Sequence, residues 1–180
     1  MLGSLLKKKL SDNQLANVFV NGLLEVVDNG FGEVAELINE DPAFVHSPGL
    51  SARDNAHFTM IILVANISSL ENTFEPEQAV RIEQLIFQKL GKMMQTNAVE
   101  AEATVREYQK FMQRINHPSM NTVYAMSKAI FQQYGLNAFQ DEYFRRMDAP
   151  NPLFLKRMDA IVINFLWDWD VFFKKYRIDD

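Results

Sequence analysis

Three histidines, His46, His57 and His117, are the only imidazoles in this chain, and with no cysteine present they carry most of its options for metal or acid–base chemistry. His46 and His117 sit near prolines in connecting segments. His57 has the more interesting neighbour: Asp54 precedes it by three residues, a spacing that places a carboxylate and an imidazole on one helical face. That pair is half of what a di-metal carboxylate bundle uses, and no second Asp/Glu-x-x-His exists to complete it. The sequence therefore favours a structural role for both residues. A metal-binding or enzymatic bundle around Asp54 and His57 stands as the alternative.

Other chemical signatures are missing. Gly30-Phe31-Gly32 lacks the strand–turn–helix setting of a phosphate loop, and no G-x-S-x-G elbow occurs. Asp28-Asn29-Gly30 lacks the spaced oxygens of a calcium loop. Asn66-Ile67-Ser68 matches a glycosylation pattern but falls in the most apolar stretch of the chain. Glu100 and Glu102 are two apart in a helical pattern and face different ways. No cofactor is expected, and the reading leans against an enzyme.

Composition narrows the class further. Among 180 residues 48% are apolar and 23% charged, the balance of an ordinary globular chain able to bury a core. The absence of cysteine fits a reducing compartment such as the cytoplasm. A net charge of −5 argues against a general nucleic-acid binder. Acidic residues gather early: no Lys or Arg lies between Lys9 and Arg53, while Glu25, Asp28, Glu33, Glu36, Glu40 and Asp41 accumulate, as on a solvated acidic surface. Lys7–Lys9 follow the apolar Leu5-Leu6 instead of preceding it, the wrong order for a secretory signal. Those lysines allow a weak membrane-surface contact, worth about 3 kcal/mol at an anionic bilayer. Residues 1–10 otherwise read as a flexible basic segment.

The elements that must position any site are helices. The six prolines, Pro42, Pro48, Pro76, Pro118, Pro150 and Pro152, all fall at starts or in connections. A first helix, capped by Ser11, is expected to about Val27 and to end at Asp28-Asn29-Gly30, with a short helix over 31–40. Residues 43–47 are the one place for a short extended segment. Asp54–Leu70 is apolar nearly all round and too short to cross a bilayer, which makes it the expected buried centre of the fold. Helices follow from Pro76 to about Gln95, from Ala98 to Asn116, from Pro118 to Gly135 and from Asn137 through Met147, with methionines as core filler. The expected fold is all-α: a single domain, 1–180, of about seven helices around the 54–70 element.

The last segment, Leu153–Lys175, projects as one long helix with two apolar faces. One carries Phe154, Met158, Ile161, Val162, Phe165, Trp169 and Phe172; the other carries Ile163, Trp167 and Val171. On that projection Trp167 and Trp169 cannot share a face. The second face, Ile163, Trp167 and Val171, is the candidate interface with a protein partner or a second copy. The sequence thus favours a non-enzymatic helical interaction or scaffold protein, with self-association one form of it. A small-ligand or sensory helical domain is a further alternative.

Overall fold

The computed structural model describes residues 7–179. They are overwhelmingly helical and share one hydrophobic core that reaches from Leu10 to Phe172. Among the described residues six helices have eleven residues or more: α1 (Asp12–Asn39), α2 (Ala56–Ile67), α4 (Pro76–Met93), α5 (Ala98–Asn116), α6 (Thr122–Gln133) and α8 (Pro152–Val162). Three are shorter: α3 (Leu70–Thr73), α7 (Glu142–Met147) and α9 (Trp169–Lys175).

The first helix starts as its sequence dictates. The Ser11 hydroxyl accepts the Gln14 N–H and the Gln14 side chain returns the bond, a complete capping box. It does not stop at Asp28-Asn29-Gly30. The helix runs on to Asn39 because Gly22 and Gly30 make room for aromatic rings, and neither ends the helix. A Cβ at Gly22 would lie 2.8 Å from the tip of the Trp167 ring, and one at Gly30 would lie 3.0 Å from that of Phe165.

The 54–70 segment is central, as its composition requires. In α2 Phe58 and every residue from Ile61 to Ile67 are buried. α1, α5 and α6 pack directly on it; α4, beginning on Pro76, packs on α1 and on α5, which starts at the Asn97 cap, and α8 packs on α6. Between α4 and α5 the chain turns so tightly that a Cβ at Gly91 would meet the Asn97 backbone at 2.6 Å. Pro118 follows α5 in a cis peptide bond, and α6 starts later than expected, capped by Asn121. Gly135, in the left-handed conformation, closes it.

Several inward assignments need correction. Met93, Met94, Met120 and Met147 are exposed, so only some methionines fill the core. α7 buries none of its residues, because it rides on the outside of a loop closed by Gln140. That amide is buried, donates to the Asn137 side chain and the Ala149 carbonyl, and accepts the Asn151 N–H.

The extended structure differs from expectation too. The 43–47 segment makes a single antiparallel bridge, Phe44 to Gln140. The two strands lie elsewhere: β1 (Lys8–Leu10) pairs in parallel with β2 (Tyr176–Ile178), Leu10 opposite Ile178. Residues 8–10 of the segment read as flexible are therefore tied down, with Lys9 bonded to Asp179 at 3.0 Å. That bond holds the Asp179 carboxyl below its ordinary range. Residues 1–6 lie outside the described part. No helix among the described residues is long and apolar enough to cross a membrane.

Candidate functional site

Asp54 and His57 do not form the pair that their spacing allows. α2 begins at Ala56, so Asp54 lies outside the helix and contributes its backbone instead. The Tyr134 hydroxyl donates to the Asp54 carbonyl at 2.7 Å and accepts the Phe58 N–H at 3.1 Å. It serves one of the free amides at the start of α2, where Asn55 makes no side-chain cap. Burial pushes the Tyr134 hydroxyl up to about 12. His57 Nδ1 is 3.0 Å from the Tyr108 hydroxyl, and burial raises that phenol as well. Among the described residues no three His, Asp or Glu side chains converge as metal ligands. The geometry of this end of α2 is that of a capped, aromatic-walled helix start.

The C-terminal segment is where the structure departs furthest from the helical projection. After α8 a single turn of 3₁₀-helix spans Ile163–Phe165, the chain extends through Leu166 and Trp167, and α9 begins under an Asp168 cap. One long helix is replaced by a hook. Its polar anchor is Asn66 on α2, a buried amide that sequence reasoning set aside as an accidental glycosylation match. Asn66 Nδ2 donates to the carbonyls of Ile62 at 2.8 Å and Phe165 at 3.0 Å, and its Oδ1 accepts the Trp167 N–H at 2.7 Å. All three bonds engage backbone, two of them in the stretch where the helical ladder is interrupted. The only trace in the sequence was a lone Asn inside an otherwise apolar helix.

With the break in place, Trp167 and Trp169 do come together, their ring centroids 6.0 Å apart. Both pack on Phe19 of α1: Trp167 edge-on at 5.3 Å and Trp169 stacked at 5.5 Å. Phe74 meets Trp169 edge-on at 5.2 Å, and Phe173 stacks on it at 5.6 Å. The Trp169 indole N–H donates to Ser69 Oγ at 3.2 Å, whereas that of Trp167 is buried without a partner among the described residues. Trp167 is thus held by its backbone bond to Asn66 and by the packing of its ring.

Of the three candidate interface residues, the structure separates one from the other two. Trp167 is half-buried against α1, while Ile163 and Val171 stay 54% and 45% exposed. Val26 lies one helical turn from each of Gly22 and Gly30, hence on the row between the two rings, and is exposed as well. Asp168 and Asp170 lie exposed at the start of α9, and Lys174 and Lys175 at its end. α9 therefore presents the exposed Val171 between an acidic start and a basic end. Compared with known proteins, the chain matches no family model, no curated protein and no solved structure.

Proposed function

We propose that this chain is a non-enzymatic helical interaction protein that associates with a second copy of itself through the outer face of the C-terminal hook. The observation that carries the reading is the pair Ile163 and Val171, large apolar side chains left about half exposed, which flank in sequence a Trp167 packed on Phe19. Pre-organised apolar groups around a fixed aromatic give contact area at little entropic cost. The charge order supports a second copy as the occupant. A two-fold axis across α9 sets the Asp168–Asp170 end of one copy against the Lys174–Lys175 end of the other. The cysteine-free composition suits a reducing compartment, and the cytoplasm is the proposed location.

The test is the mass in solution by light scattering, for the parent and for Ile163→Glu and Val171→Glu. The parent associates at high concentration, and both variants have a lower mass with unchanged helicity and melting. A parent that stays monomeric at high concentration overturns the self-association reading.

A further inference from the structure

On another part of the surface, α5 borders a trough that helices α2, α3 and α4 close from the other side. One half, of about 560 Å³, has the buried Val64, Ala65, Met112 and Ala125 in its lining. The other half, also about 560 Å³, continues past Pro76 and Val80 and shares Ser68, Glu71, Gln109 and Gln113 with the first. Arg106, Gln109, Gln113 and Asn116 follow one face of α5 at three- and four-residue steps, about 15 Å of helix. That is the length of roughly four to five residues of extended chain.

The walls carry hydrogen-bonding capacity that the chain itself does not use. Glu71, Asn72 and Gln113 make no side-chain hydrogen bond or ion pair among the described residues. The Asn116 side-chain carbonyl oxygen is buried and has no donor among the described residues, an unmet hydrogen bond that an arriving N–H would satisfy. Charge is uneven as well: Glu83 is neutralised by Arg106 at 2.6 Å, while Glu71, where the two halves join, faces solvent without a cation among the described residues. At the open end Met120 is 97% exposed. An occupant of this trough supplies N–H donors along its length and a positive charge near the middle, against a partly apolar lining.

We propose that the trough binds an extended peptide segment that carries a Lys or Arg opposite Glu71, with its backbone read by the side-chain amides of Gln113, Asn116 and Asn72. The proposal shares with the preceding section the reading of the chain as an interaction protein, but it uses a different surface. The test is selection of phage-displayed random heptapeptides on the immobilised full chain. Selected peptides share a Lys or Arg flanked by uncharged residues, and they protect residues 64–72 and 109–125 from hydrogen exchange. Glu71→Gln weakens their binding about tenfold, Gln113→Leu weakens it further, and Ile163→Glu leaves it unchanged. No enrichment, or selected peptides indifferent to Glu71→Gln and Gln113→Leu, overturns the proposal. Selected peptides that lose binding in Ile163→Glu overturn it too, since they then lie on the hook. Light scattering decides the hook reading separately, so the two fail independently.

Discussion

α2 and the C-terminal segment look alike on paper, each an apolar run with no clean polar face, yet one stays a straight buried helix and the other breaks into a hook. The difference lies in where each finds partners for its backbone. α2 is packed on by α1, α5 and α6, and beyond its first turn its amides close its own ladder, with Tyr134 serving only the Phe58 N–H. The segment after Val162 lies on α1, where Gly22 and Gly30 leave hollows that fit Trp167 and Phe165. Seating both rings there is incompatible with a continuous helix, and Asn66 supplies the hydrogen bonds that the break would otherwise forfeit. An apolar run specifies burial; its path is decided by polar groups and clearances elsewhere in the chain.

The largest effect tests the α2 side of the comparison. Ile62→Asp places an unpaired carboxylate at a position with no exposure. The cost rivals the ~5–15 kcal/mol that holds a domain folded. Circular dichroism is expected to show an unfolded chain, and a variant that melts like the parent removes α2 from the centre.

Asn66 tests the hook. Asn66→Asp keeps an acceptor for the Trp167 N–H but loses both donors and buries a charge, a cost of about 3–5 kcal/mol. If Asn66 fixes the break, hydrogen exchange accelerates first across 163–179, and tryptophan emission shifts towards that of exposed indole. A uniform loss of protection over the whole chain would make Asn66 an ordinary core residue.

How much was legible follows the same line. The centrality of α2, the bounds of α4 and α5 and the Ser11 cap could all be read, because each depends on residues within a few positions of one another. The length of α1 could not. Gly30 after Asp28-Asn29 has the local signature of a helix end, and its actual use depends on Phe165, 135 positions later. The β1–β2 pairing joins the two ends of the described chain and is invisible to local pattern for the same reason. At the candidate sites, periodicity singles out Ile163 and Val171, which are exposed, although the helix it projects them on does not exist as one piece. For the same reason Trp167 and Trp169, on opposite faces of that projection, come together in the fold. Asp54 and His57 were noticed for their side chains, but the group that matters there is the hydroxyl of Tyr134, which no spacing rule connects to them.

That hydroxyl makes the cap of α2 sensitive to pH. In the fold its pKa stands at about 12 against 10 in the unfolded chain, so the fold favours the neutral phenol. The resulting stabilisation is complete below pH 10 and is lost as pH rises from 10 through about 12. Tyr134→Phe is expected to cost about 1–2 kcal/mol at neutral pH, through the unsatisfied Phe58 N–H, and to flatten the alkaline decline. A melting profile of Tyr134→Phe parallel to the parent's across that window would show that another group governs it.

The smallest effect is the sharpest on the break itself, because it compares glycines within one helix. All three, Gly22, Gly30 and Gly32, lie inside α1, where glycine costs about 1 kcal/mol relative to alanine. At Gly32 an added Cβ meets only the Ala52 methyl at 3.7 Å, ordinary contact, so Gly32→Ala is expected to stabilise by about 0.5–1 kcal/mol. At Gly22 the same methyl arrives 2.8 Å from a Trp167 ring already packed on Phe19. There the helical gain is offset by displacement of the indole, and the net change is expected to be destabilising by about 1 kcal/mol, with altered tryptophan emission. Gly30→Ala falls between, since its Cβ reaches Phe165 at 3.0 Å and that ring must give way by a few tenths of an ångström. Chemical denaturation of the three variants orders them Gly32, Gly30, Gly22 from most to least stable. If Gly22→Ala stabilises as much as Gly32→Ala, the hollow is not what seats Trp167, and the hook rests on Asn66 alone.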